Sequence, residues 1–291
     1  MMKNQPRGHW RVIACDLDGT LLGRGHQSNQ ADVDALKRAM AAGYHVTICT
    51  GRNATESAPI IAALGLNDLG IFVNGAVIAD MGTGRTRSRR TVPWQLAQEL
   101  IDFFGGSGHA VLTLADDLDT GKPEYIISSH APAHRATREW LVANRMSSSV
   151  QDPIAPQYRD SILRLSVVVD VGESAPLETA MAQRFGDRIS HYSIYSGVYD
   201  CQVLEAFAPG VTKWSGICDL CEHIDVPTDR VVAIGDDRND LPMLQHAALS
   251  IAMGNARDEI KRFAKRTTRS QSDCGVAYVV EQLLSGELEP A

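Results

Sequence analysis

The stretch VIACDLDGTLL, residues 12–22, decides how this chain is read. Its first residues are small or apolar, as in a buried strand. Asp16 and Asp18 follow at the strand's end, where an isolated charge is costly to bury. Side chains two apart on a strand point the same way, so both carboxylates face one site and Leu17 turns away. The carboxyl end of a parallel strand is where an open α/β sheet binds its ligands. Adjacent carboxylates repel and raise a pKa unless a cation neutralises them, and Mg2+, hard and oxygen-seeking, is a natural partner. Gly19 permits a sharp turn and close backbone approach. Taken alone, the same residues would also suit a solvated strand-end turn.

The surrounding sequence sets this strand in a repeating frame. SNQADVDALKRAMAAG carries Val33, Leu36 and Met40 at helical spacing, with Ser28 or Asn29 to cap it and Gly43 to end it. YHVTICT (44–50) reads as a strand, NATESAPIIAALGL (53–66) as a helix and GIFVNG (70–75) as a third strand. This alternation is the rhythm of a parallel sheet with helices on its faces. It returns late, with VTKWSGICDLCEHIDV as a helix, RVVAIGD (230–236) as a strand and DLPMLQHAA as a short helix. LSIAMG (249–254) is then a strand, and NARDEIKRFA and GVAYVVEQLL are helices. The middle differs: strands at AVLTLA, EYIISS, ILRLSVVVD and ISHYSIYS mix with helices at WQLAQELIDFF, AHRATREWLVAN and PLETAMAQRF. The expected fold is α/β, a Rossmann-like doubly wound parallel sheet formed by 1–84 and 196–291, with an α+β domain inserted at 85–195. The basic run MGTGRTRSRR (81–90) reads as a solvated hairpin or linker at the entry to that insertion.

Bulk properties narrow the function classes. The 291 residues suffice for a sizeable core, and 44% apolar with 22% charged residues is ordinary globular usage. A net charge of −7 argues against a general nucleic-acid binder. No apolar run approaches the roughly 20 residues of a membrane span, so no membrane partner is expected. MMKNQPRGHW lacks the apolar centre of a signal peptide, and a cytoplasmic protein is expected. The six scattered cysteines suit reduced thiols. Cys218 and Cys221 form a CxxC without a second ligand pair, and read as small residues on neighbouring helical turns rather than as a zinc site.

Three further stretches carry chemistry, each just after an apolar run. TICTGR offers Thr50, Gly51 and Arg52: a hydroxyl, an open backbone amide and a cation, all suited to phosphate oxygens. GVTKW offers Lys213, a compact positive charge. AIGDDRND offers Asp236, Asp237, Asn239 and Asp240 as oxygen ligands. Together they supply anion binders and cation binders for one pocket.

DLDGTLL, CTGR, the lysine of GVTK and GDDRND resemble, in order, the four motifs of the haloacid dehalogenase superfamily of phosphatases. FVNGA (72–76), IAMGNA (251–256) and CGVAYVVEQLL are similar to its Cof-type branch (subfamily IIB), which carries a large inserted α/β cap. The resemblance implies a Mg2+-dependent hydrolysis of small phosphorylated metabolites, such as sugar phosphates, through an aspartyl-phosphate. It implies Asp16 as nucleophile, Asp18 as acid and then base, and Lys213 as charge compensator. Mg2+ would be held by Asp16, the Asp18 carbonyl and Asp236, with Asp240 and Asn239 orienting phosphate, lysine or metal water. Thr50, Gly51, Arg52, Asn74, Gly75 and Asn239 would bind substrate. Phosphohexomutase-like transfer and a non-catalytic metabolite binder on the same scaffold are the alternatives, and the oligomeric state stays open. Trp214, where the branch often has glycine, and Asp237 depart from the pattern.

Overall fold

In this computed structural model, which describes residues 8–23, 25–116, 123–128, 131–151 and 153–290, the opening strand is Val12–Cys15, with all four side chains buried. The reading of the first ten residues therefore falls mostly outside the described chain. Val12–Cys15 pairs in parallel with His45–Ile48 on one side and Val231–Gly235 on the other. Leu249–Ala252 and Arg266–Thr267 extend the sheet beyond Val231–Gly235, again in parallel. Such a sheet is covered on both faces, which is why its strands read as near-continuous apolar runs. Val12 and Ala14 join a cluster with Ile217, Leu220, Cys221 and Met243, from the helices Lys213–His223 and Leu241–His246. Ile13 and Cys15, equally buried, face the opposite way by strand alternation. The helices Gln30–Ala41 and Gly275–Ser285 pack on each other.

The chain leaves Val12–Cys15 toward His45–Ile48 and comes back on the other side at Val231–Gly235. The carboxyl ends of these two central strands thus lie at the sheet's switch point, where open α/β sheets leave a crevice. Leu69–Phe72 continues beyond His45–Ile48 through a parallel bridge between Cys49 and Ile71. It then turns antiparallel against Val77–Asp80, which is followed at the edge by Thr86–Arg89. The basic run is therefore an edge hairpin arm, with Arg87 3.7 Å from Asp80. The expected strand 70–75 stops early because Val73, Asn74 and Gly75 take φ of 51°, 53° and 98°.

The inserted unit spans Arg89–Val211 and is longer than the expected 85–195. Its six-stranded sheet runs Ser190–Ser196, Cys201–Phe207, Ile162–Val169, Leu112–Asp116, Pro123–Ser128 and Ser148–Gln151 in spatial order. All pairs are antiparallel except the last. Helices Trp94–Gly106, Arg135–Ala143 and Val171–Phe185 complete it. Cys201–Phe207 falls in the stretch 196–291 expected to belong to the core, yet it is an interior strand of this second sheet. Its glutamate, Glu205, disguises it: the side chain is buried because Arg164 on the neighbouring strand stands 2.8 Å away. Among the described residues, no helix is long and apolar enough to cross a membrane.

Candidate active site

The site grows from Lys213. Thr212 caps the helix Lys213–His223 by accepting from the Ser215 amide, and Ser215 returns a bond to the Thr212 amide. This reciprocal box fixes the first helical residue, Lys213, whose side chain is fully buried. Its Nζ donates to Asp16 Oδ1 and to Asp240 Oδ1, each at 2.6 Å. Asp16 stands just past Val12–Cys15, with its amide donating to Ile234 O at 3.0 Å. Asp240 Oδ2 accepts from the amides of Asp236 and Asp237 at 2.8 and 3.0 Å. Asp240 is thus the lysine's second counter-charge and the organiser of the turn after Val231–Gly235.

Asp236 faces the loop after Asp16. Thr20 Oγ1 donates to Asp236 Oδ1 at 2.8 Å, and a Cβ on Gly19 would lie 2.1 Å from Asp236 Oδ2. With a φ of 85° as well, position 19 accepts glycine and little else. Thr20 is fully buried, a polar residue of the DLDGTLL stretch to which sequence alone assigns no role. One carboxylate oxygen from each of Asp16, Asp236 and Asp240 lies within 4.8 Å of the other two. Asp18 does not join that cluster: its carboxylate is clamped by Arg52, through Nε to Oδ2 at 2.7 Å and through a terminal nitrogen to Oδ1. His26, which no motif flagged, sits 3.4 Å from Asp18 Oδ1 and accepts from Arg52 at 2.6 Å.

The anion-binding candidates other than Arg52 gather around Asn74. Thr50 N donates to Ile71 O at 3.0 Å, and Asn74 N donates to Thr50 O at 2.9 Å. Asn74 is fully buried and its Oδ1 accepts from Asn239 Nδ2 at 3.0 Å. Gly51 lies against the same side chain, since a Cβ there would be 3.3 Å from it. Thr50, Gly51, Asn74 and Asn239 are therefore one constellation. Gly75 has a packing reason of its own: a Cβ would meet Thr212 O at 2.1 Å, so glycine lets the turn bearing Asn74 abut the turn bearing Lys213.

Charge is unevenly balanced here. Burial, then the Asp240 charge, hold the Asp16 carboxyl well above its usual range, although Lys213 pulls the other way. Burial and Asp240 likewise push Asp236 up to about 7. Burial would lower Lys213, but Asp16 and Asp240 outweigh it and keep the ammonium charged. Burial would raise Asp18, but Arg52's hydrogen bonds and charge outweigh it and hold that carboxyl below its usual range. One lysine against three carboxylates leaves room for a further cation, and an all-oxygen donor set suits a hard divalent ion.

Both departures from the motif pattern have local explanations. Asp237 caps the short turn Arg238–Asp240 by accepting from the Arg238 amide at 2.8 Å. Trp214 packs on the apolar cluster under the sheet and stacks on His246 with ring centres 5.8 Å apart. All six cysteines are free thiols, and Cys218 and Cys221 belong to no candidate metal cluster among the described residues.

Residues 13–280 match the sequence family described as haloacid dehalogenase-like hydrolase. The 5-amino-6-(5-phospho-D-ribitylamino)uracil phosphatase YwtE of Bacillus subtilis is 30% identical over 299 aligned positions, covering 95% of this chain and 99% of that protein. The pyridoxal phosphate phosphatase YbhA of Escherichia coli is 27% identical, covering 86% of this chain and 90% of that protein. Among solved structures, the phosphatase BT1666 of Bacteroides thetaiotaomicron shares the fold with a TM-score of 0.77 at 22% identity, over 96% of this chain and 97% of that one. With its four motifs assembled at the switch point of one parallel sheet, the chain belongs to the haloacid dehalogenase-like hydrolases, as a phosphatase of their Cof-type branch.

Proposed function

We propose that this chain hydrolyses phosphomonoesters of small metabolites through a phosphoryl group carried on Asp16. The observation that carries the proposal is the buried Lys213 bridging Asp16 and Asp240 at 2.6 Å each, with Asp236 beside them. A lysine so placed favours the ionised form of Asp16 against burial and the Asp240 charge, and limits charge repulsion during attack. A carboxylate oxygen of Asp16 attacks phosphorus, and the ester oxygen leaves with a proton from Asp18. Water, deprotonated by Asp18, then cleaves the aspartyl-phosphate and restores Asp16. Thr50, the Gly51 amide and Asn239 hold the phosphoryl oxygens, with Asn74 fixing Asn239. Arg52, which grips Asp18 here, would add its charge to the same oxygens on releasing that clamp.

Asp16, Asp236 and the Asp18 carbonyl would hold Mg2+, whose charge, when bound, offsets that of the carboxylates and the phosphate. The relatives named above act on phosphates of polar metabolites, which supports a substrate of similar size and polarity, sugar phosphates included. The decisive test is Asp16→Asn, assayed for phosphate release over a panel of phosphorylated metabolites. Release should fall by at least about 10⁴-fold, because an amide is no nucleophile toward phosphorus. Turnover within a few fold of the parent would rule out Asp16 as the phosphoryl carrier.

A further inference from the structure

We infer that Asn255, in the IAMGNA stretch to which no role has been given, is a positioning residue that fixes Asp236 and the loop after Asp18 for cation binding. The inference rests on the proposed metal-assisted reading of the site. Leu249–Ala252 runs beside Val231–Gly235 in parallel, and Met253 N donates to Gly235 O at 3.0 Å. The residues just beyond the two strands are therefore brought side by side, Asn255 next to Asp236. The Asn255 Nδ2 donates to Gly19 O at 2.8 Å and to Asp236 Oδ2 at 3.3 Å. Its Oδ1 accepts from the Gln271 amide at 2.8 Å, so the side-chain amide is anchored at both ends. Gln271 ties back to the same region, since Asn29 Nδ2 donates to its carbonyl at 2.5 Å.

The geometry gives Asp236 a two-sided hold. Thr20 takes Oδ1 at 2.8 Å and Asn255 takes Oδ2 at 3.3 Å, so rotation of the carboxylate is blocked from both oxygens. The bond to Gly19 O at 2.8 Å fixes the Gly19–Thr20 peptide, one removed from the Asp18 carbonyl that is a proposed ligand. One side chain thus holds one of the three groups offered to the cation directly and braces the loop that carries a second. Asparagine fits this position because it donates twice from Nδ2 and accepts at Oδ1, whereas a carboxylate could not donate to Gly19. Asn255 is itself exposed, so shortening it opens no cavity in the core.

The test is calorimetric titration of Mg2+ into the whole protein, stripped of metal, for the parent, Asn255→Ala, Asn255→Ser and Asp236→Ala. Partners that orient metal ligands typically contribute about 10- to 100-fold in affinity. Asn255→Ala should weaken Mg2+ by about tenfold or more, with an unchanged Tm in chelator and most of kcat restored at saturating Mg2+. Asn255→Ser, too short to span Gly19 and Asp236, should do the same and replaces the alanine variant if that folds poorly. Parent-like affinity in both Asn255 variants, with Asp236→Ala deficient, overturns the role of Asn255 and leaves the site intact. Affinity lost only in step with a lowered Tm also overturns it. Parent-like affinity in Asp236→Ala overturns the metal assignment itself, and this inference with it.

Discussion

Asp236→Asn should flatten the fall in stability that the metal-stripped parent shows as pH rises from 5 to 8. Burial, followed by the Asp240 charge, places the Asp236 carboxyl at about 7, against 3.8 for an ordinary aspartate. The folded protein therefore keeps this proton after the unfolded chain has lost it. The resulting stabilisation is complete below about pH 4 and disappears as pH climbs through about 7. The whole gap is worth about 4 kcal/mol, and about 2–3 kcal/mol of it falls between pH 5 and pH 8. Asparagine keeps the shape, still accepts from Thr20, and does not titrate.

The assay is urea unfolding at unit pH steps in EDTA, for parent and variant together. The parent should lose about 2–3 kcal/mol more than the variant between pH 5 and pH 8. Subtracting the two removes every group they share, Asp16 included to the extent that it titrates alike in both. Millimolar Mg2+ should abolish the parent's fall and leave the variant nearly unmoved, because the cation supplies the missing counter-charge. Parallel curves in EDTA would refute the reasoning, since Asp236 would then carry no proton that folding retains.

Asp18→Asn should cut turnover by about 10²–10⁴-fold while the aspartyl-phosphate accumulates, as rapid-quench trapping would show; an intermediate decaying at the parent rate would remove Asp18 as the base. Arg52→Ala removes the clamp that does most to hold the Asp18 carboxyl down and leaves its burial opposed only by the smaller effects of His26 and Lys213. The acid limb of the kcat profile should then shift to higher pH, and an unmoved limb would show that Arg52 does not set it.

Val12–Cys15, His45–Ile48 and Val231–Gly235 are legible because they are mostly apolar on both faces and each ends in a motif with a chemical reason to be there, whereas the polar edge strand Arg266–Thr267 is not. Asp16, Thr50, Lys213 and Asp236 can be assigned to one pocket for that reason. The interior strand Cys201–Phe207 is hidden by Glu205, whose burial depends on Arg164 more than thirty residues earlier, and no local pattern encodes such a pair. The strands after residue 76 escape for another reason. Val77–Asp80 follows a left-handed turn through Val73 and Asn74, conformations that non-glycine residues rarely announce. Within the site, the residue types are readable but their pairing is not. Arg52 reads naturally as a phosphate ligand, yet here it holds Asp18; Asp240 reads as a metal ligand, and here it also pairs with Lys213 and two amides. Thr20 and Asn255 carry neutral side chains, and only the fold brings them to Asp236.

Lys213 shows how a local rule gives way at this site. It occupies the first turn of the helix Lys213–His223, where the helix's own partial positive charge disfavours a cation. Nothing in helix propensity recommends it, and full burial makes the ammonium costlier still. Asp16 and Asp240 outweigh both effects. The consequence is that the helix terminus and the ammonium direct positive potential at the same carboxylate, Asp16. With a divalent cation on Asp16 and Asp236, three carboxylates face three positive charges and the centre is neutral. A phosphate dianion entering that centre brings two more negative charges, which the Thr50 hydroxyl and the Gly51 amide can bind but not neutralise. Arg52 is the charged group at hand, and while it clamps Asp18 its charge is already matched. Transfer of Arg52 from Asp18 to the phosphate would compensate the substrate and release the acid in one movement. Burial, freed of its main opponent, would then raise Asp18 toward the protonated state that departure of the ester oxygen requires.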